Sequence, residues 1–274
     1  MDFMFRIHEF ILLLYFISLS ALSYDLFFRN RQARKVSFYI AVAAAGLQIT
    51  GFIGISVSIG RIPVQTTFEG LYALSILIIL TGLLHYRRSD SEIALFIYVL
   101  TAFMLFAVHT FAPVQYSRTT EVSTLMNELL VIHVGLALFA YVLFFVSALH
   151  AVIYVIQYDN LKKKRFNRLF FSLFSVGTAE KMMVRTLLFG VCSMAISILL
   201  GAMWGINIMG TQIFTDIKVL GTCIVLLLYA ALLFHLKTEH NILRFAKLNV
   251  IIFFICMLNY IFITQLSQFH FWGY

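Results

Sequence analysis

Eight stretches of this chain run apolar for about 20 residues or more, each long enough to cross the hydrocarbon core of a bilayer as a helix. They lie near 7–28, 36–59, 66–86, 92–112, 129–156, 184–205, 214–236 and 248–268. A lipid-exposed backbone must satisfy its own hydrogen bonds, and apolar runs of this length do so as helices. The chain is 62% hydrophobic and 12% charged, with a mean hydropathy of +0.95, more apolar surface than a soluble domain of 274 residues needs. We therefore expect an all-α integral membrane bundle of about eight transmembrane helices, forming a single transmembrane domain over residues 1–274. The connections are short. Only 113–128 and 157–183 are long enough to carry structure of their own, and no internal repeat or low-complexity tract occurs.

The basic residues give an orientation. One set of connections and helix ends holds Arg29, Arg31, Arg34, Lys35, Arg87, Arg88, Lys162, Lys163, Lys164, Arg165, Arg168, Lys181, Arg185, Lys237, Arg244 and Lys247, sixteen of the twenty Lys and Arg residues. The other set holds Arg6, Arg61, Arg118 and Lys218. The first set is expected to be cytoplasmic, which puts both termini outside. The net charge of +8 is then a topology signal and not a nucleic-acid footprint. The first run is expected to remain as a span and not to be cleaved as a signal peptide, because Asp2 and Glu9 weaken the positive start such a peptide needs. In the 157–183 connection the run "LKKKRFNR" precedes "LFFSLFSV". That order reads as an amphipathic segment lying against anionic lipid, with a docking surface for a cytosolic partner as the alternative.

With this topology the eight histidines fall into two layers. His8, His109, His133 and His270 lie near the outer face; His85, His150, His235 and His240 lie near the inner face or in its loops. An ionisable side chain in or beside a membrane helix is costly, so each is a functional candidate, set against the plainer reading of a polar helix end. Histidine is also a common ligand of haem iron. His133 and His150 share one span and stand about 25 Å apart along it, so one protein has room for iron ligands at both faces.

Other polar positions are fewer. Glu69 sits at the outer end of the third span and needs a partner, Arg61 or Arg118, or serves to hold a loop in place. Asp216 and Lys218 bound the aromatic, apolar segment "GAMWGINIMGTQIFTDIK", which reads either as an interfacial platform or as an ordinary aromatic belt. Ser193, Ser197, Gly201 and Gly205 recur every four residues and form a small-residue stripe, read as helix packing. Cys192, Cys223 and Cys256 lie in apolar runs without metal-site spacing and read as packing residues. No nucleophile–base pair, phosphate loop or metal-hydrolase set is evident, so we expect no enzyme.

These residues carry a resemblance. "FEGLYALS", "IHVGLALFAYVLFF" followed by "YVIQYDNLKKK", "GAMWG" through "FTDIK", "LLYAALLFHLK" and the terminal "FHFW" resemble, in order and spacing, elements of the cytochrome c assembly family of membrane haem-handling proteins (the CcsA/ResC type), above all its smaller HemX branch. His133 to His235 spans 102 residues, and His235 to His270 a further 35, spacing of the family kind. The resemblance implies non-covalent haem b at two levels. His133 and His270 are then the outer axial ligands, and His235 is an inner one. The second inner ligand is left to His150 or His85, or the inner iron has one protein ligand. Trp204 and Phe214 are the aromatics that remain where the family has a tryptophan-rich element, with Gly210 at the turn. That reduced element favours the HemX branch, which is linked to control of haem biosynthesis through glutamyl-tRNA reductase. Three roles follow as expectations: haem binding or transfer across the bacterial plasma membrane, regulation of glutamyl-tRNA reductase, or transport of another small molecule. Membrane lipid, haem and cytochrome c assembly proteins are the further expected partners, with no nucleic acid.

Overall fold

The computed structural model describes residues 2–64, 66–89, 91–112, 124–239 and 241–263. Among these every regular element is a helix. Eight helices are long and apolar enough to cross a membrane, so the chain is a multi-pass membrane protein. They are α1 (Asp2–Phe28), α2 (Arg31–Ile59), α3 (Thr67–Ser89), α4 (Glu92–Phe111), α5 (Thr124–Lys162), α7 (Val176–Met209), α8 (Ile217–Glu239) and α9 (Ile242–Leu258). A five-residue helix, α6 (Arg168–Ser172), lies between α5 and α7.

The helix ends follow local chemistry. Asn30, Ser91, Asn167, Ser175 and Asn241 each accept a hydrogen bond from the backbone N–H groups of the turn they precede. Gly60 closes α2 in the left-handed region at φ 73°, which costs a residue without a Cβ little.

Several helices outrun the expected spans. α5 begins at Thr124 and ends at Lys162, α7 runs from Val176 to Met209, and α9 starts at Ile242. Apolarity marks only the length inside hydrocarbon, whereas the backbone hydrogen-bond ladder continues into the interface. The 157–183 connection is therefore mostly helical. What stays irregular is short, and Gln157 ties it down by donating to the carbonyls of Phe170 and Phe174, both at 2.9 Å.

The chain divides into two compact units, Met1–Thr120 and Glu121–Tyr274. In the first, α1 packs on α2 and α4, and α3 packs on α2 and α4, giving a closed four-helix arrangement. Lipid is as apolar as leucine, so burial does not drive these helices together; close packing and interhelical hydrogen bonds do. The polar ties are numerous. Ser18 and Ser37 exchange hydroxyl bonds between α1 and α2. Tyr15 donates to the side chain of Gln48 at 2.6 Å, Gln48 bonds Ser75, and the Tyr72 hydroxyl donates to the Gln48 carbonyl at 2.9 Å. Arg34 bridges the buried carboxylate of Asp25 and the carboxylate of Glu92. Gly82 lets the ring of Tyr98 close over α3, where any Cβ would collide with the Tyr98 side chain.

In the second unit α5 and α7 form the most extensive pair, antiparallel, with α9 also on α5 and α8 on both α7 and α9. The α5–α7 register is set by Gly190 under Phe144, Ser147 bonding the Met183 carbonyl at 2.8 Å, and Ser197 against His133. Asn249 of α9 joins this seam by donating to Ser147 at 2.7 Å.

Candidate functional site

His133 stands in the first part of α5, half-buried against α7. Its Nδ1 lies 2.6 Å from the carbonyl oxygen of Ser197. A carbonyl only accepts, so Nδ1 carries the proton and the neutral ring keeps its lone pair on Nε2. The Ser197 hydroxyl, 3.1 Å from Nδ1, donates to the His133 carbonyl at 2.8 Å. The ring lies on Gly201: a Cβ there would stand 2.5 Å from Cε1, 2.7 Å from Nδ1 and 3.0 Å from Nε2. The small-residue stripe is thus a packing surface, as expected, and what it packs includes the histidine itself. The four-residue period was visible, but its partner was not.

The stripe continues to Gly205, where a Cβ would come 2.6 Å from Cγ1 of Ile213. Ile213 belongs to a 3-10 helix, Gly210–Thr215, which folds back on the end of α7. Trp204 and Ile213 form a buried cluster with Leu129, Leu130 and Val219 around them. Trp204 is 6% exposed and Phe214 is 51% exposed. Of the two aromatics expected to shelter a macrocycle, Phe214 therefore offers a face outward, while Trp204 holds the 3-10 helix to α5 and α8. Asp216 caps α8: its Oδ1 accepts from the backbone N–H of Lys218 at 2.9 Å and of Val219 at 3.3 Å. His270 and His240 lie outside the described residues, as does Arg118.

His150 is fully buried on α5, stacked on Phe174 with ring centroids 5.4 Å apart. Its Nδ1 lies 2.8 Å from the Val146 carbonyl, so it too keeps its lone pair on Nε2. His235 is half-buried on α8, its Nε2 3.0 Å from the carboxylate of Glu239 one turn on. Phe144 of α5 and Tyr229 of α8 stack at 4.3 Å, and both helices run in the same direction. His150 and His235 each lie six residues beyond that pair, about 9 Å further along, so they share one depth.

Two further candidates lie in the first unit. His85 sits with Nδ1 3.5 Å from the Tyr98 hydroxyl. Glu69 is fully buried and held by both guanidinium nitrogens of Arg61, at 2.9 and 3.0 Å. Glu69 also makes reciprocal bonds with Thr66, accepting from its N–H at 3.3 Å while its own N–H donates to the Thr66 hydroxyl at 3.2 Å. That is a capping box at the start of α3. Arg61 is thus the partner among those the sequence offered, and Glu69 fastens a loop to a helix.

The chain is similar over its whole length to known proteins. A family model described as Cytochrome C assembly protein matches residues 7–270. "Protein HemX" of Bacillus subtilis (strain 168) is 29% identical over 266 residues, covering 97% of this chain and 96% of its own length. "Protein HemX" of Brevibacillus brevis is 30% identical over 269 residues, covering 97% of each.

Proposed function

We propose that this chain, which belongs to the family of cytochrome c assembly proteins, binds haem b non-covalently in the plasma membrane of a bacterium. The observation that carries this reading is shared by two histidines on one helix. His133 and His150 both have Nδ1 tied to a backbone carbonyl, leaving Nε2 as the donor. Metal-ligating histidines are commonly oriented and made more basic in this way by a hydrogen bond from their other nitrogen. The two stand 17 residues apart on α5, about 25 Å, which leaves room for one site towards each face of a hydrocarbon core about 30 Å thick.

Bound haem b would supply a redox-active iron. At one level His133 and His270 would hold the iron, and Phe214 would border the haem. Ser197 and Gly201 would fix the His133 ring and its tautomer. At the other level His150 and His235 would hold the iron. Such a protein binds and passes haem and performs no catalysis of its own. Its likeness to the HemX proteins extends the proposal to moderating haem biosynthesis, with glutamyl-tRNA reductase as the partner.

A visible spectrum of protein purified from haem-replete cells tests the reading. Low-spin, bis-histidine haem is expected. His133→Gly is expected to lose haem, and added imidazole to restore part of it. Full haem and an unaltered spectrum in a variant lacking both His133 and His270 would refute the site.

A further inference from the structure

We infer that Lys218 anchors the haem proposed at the His133 level, its ammonium pairing with a propionate carboxylate of that haem; the inference rests on the haem reading given above. Lys218 is the second residue of α8, within a helix long and apolar enough to cross a membrane, and it is half-buried. Its neighbours place it. Asp216 accepts its backbone N–H at 2.9 Å. The next residue, Val219, packs on the cluster of Trp204 and Ile213, beside Leu129 and Leu130. Trp204 is three residues from Gly201, on which the His133 ring lies, and Leu130 is three residues from His133 itself. The first turn of α8 therefore sits at the end of the α5–α7 pair that holds His133, and the positive charge of Lys218 reaches that ring.

Two observations point to a ligand. First, the Lys218 ammonium makes no hydrogen bond or ion pair among the described residues. Asp216 is the carboxylate whose charge it feels, and Oδ1 of Asp216 is engaged with the backbone N–H groups of Lys218 and Val219. A charge drawn out of water without a partner is costly, and in a membrane helix it marks a functional position by default. Second, Lys218 stands apart from the other cations. The remaining described Lys and Arg residues of this unit lie at the opposite level, past the end of α5, in the first turns of α7, at the end of α8 and at the start of α9. Those fit the charge bias that orients a membrane protein, and Lys218 goes against it.

Chemistry selects the partner. The His133 ring is neutral, and Phe214, just before α8, turns an apolar face outward. A haem brings an apolar macrocycle that suits such surroundings, together with two propionate carboxylates that do not. Bringing a carboxylate into a low-dielectric site is costly without a countercharge. Lys218 supplies one, as a compact charge on a flexible stem that can follow the ligand. The site then prefers a porphyrin with free carboxylates to one whose carboxylates are masked as esters. A lysine that merely reached for the membrane surface would show no such preference, and neither would one paired with the phosphate of a lipid headgroup.

The test uses the purified full chain in uncharged detergent. Haem and haem dimethyl ester are titrated in separately, and binding is taken as the part that His133→Gly removes. Lys218→Met should lower haem affinity about tenfold and leave ester affinity within about twofold, so the ratio of the two falls about tenfold. Lys218→Gln should give the same fall, which keeps the test decisive if one variant folds poorly. Lys218→Arg should keep most of the ratio, and Lys163→Met, at the opposite level, all of it. Without haem, Lys218→Met should unfold no earlier than the wild type, because it removes a costly charge and no structural contact. An unchanged ratio in both Lys218→Met and Lys218→Gln, or an equal loss of haem and ester, would overturn the proposal. So would earlier unfolding of haem-free Lys218→Met, which would make the lysine structural. Absence of His133-dependent haem from the wild type would overturn the haem reading, and this proposal with it.

Discussion

Gly201→Ala is the smallest change that reaches the His133 site without touching a candidate ligand. The new methyl would sit 2.5 Å from Cε1 of His133, whereas ordinary contact begins near 3.4 Å, so the ring must retreat by about 0.9 Å (3.4 less 2.5). Because the methyl arrives on the side where α5 and α7 already touch, that retreat pulls Nδ1 away from the Ser197 carbonyl, now 2.6 Å distant. Overpacking of this kind costs about 1–3 kcal/mol, and the strained or lost hydrogen bond about 1 kcal/mol. If half of this falls on the haem-bound state, affinity drops roughly 5- to 30-fold, since about 1.4 kcal/mol is a factor of ten. The assay is haem titration followed by absorbance, with thermal unfolding recorded alongside. Ser197→Ala is the control. It removes the hydroxyl but keeps the carbonyl that accepts from Nδ1, so affinity should change by less than about threefold. In a His133→Gly background rescued with imidazole, Gly201→Ala should have a much smaller effect, because the added imidazole is not tethered to α5 and can shift away from the new methyl. Haem affinity within twofold of wild type in the single Gly201→Ala variant, at unchanged stability, would refute the seating of His133 on Gly201.

Four further outcomes are expected. Glu69→Ala leaves Arg61 facing a buried, vacated position and should destabilise the first unit by about 3–5 kcal/mol in thermal or denaturant unfolding, with haem content per folded chain unchanged; a specific loss of haem would make Glu69 a site residue. Asp216→Ala removes the cap of α8 and should cost about 1 kcal/mol of stability while leaving the visible spectrum in place; a shift of the spectrum would show that Asp216 acts on the haem. A cysteine replacing Lys163 should be shielded from an impermeant thiol reagent in intact cells, and one replacing Ser117 labelled; the reverse pattern would invert both histidine levels. Replacing Lys162, Lys163, Lys164 and Arg165 by Gln, all four exposed beside α6, should disturb insertion or stability and spare haem binding by inserted protein; normal insertion with loss of a haem-synthesis phenotype would point instead to a cytosolic protein partner.

What the sequence alone determined is what depends on near neighbours in the chain. Eight apolar runs specify eight helices, because a backbone in lipid has no other way to satisfy itself. The capping box of Thr66 and Glu69 and the cap at Asp216 are likewise set by residues two to three apart in the chain. The four-residue stripe on α7 announced a packing face. What only the tertiary structure decided is which residue meets which across helices. The stripe receives His133 from a helix 64 residues away. Trp204 turns inward and Phe214 outward because Gly205 lets Ile213 lie against α7, a contact the composition of that segment does not encode. His8 meets His109 because α1 and α4 close on one another, whereas Glu69 takes Arg61 from the short connection just before its own helix. A histidine has the same polarity wherever it stands in an apolar run, so its depth, tautomer and neighbours are set by helix packing, and packing is a property of residues far apart in sequence.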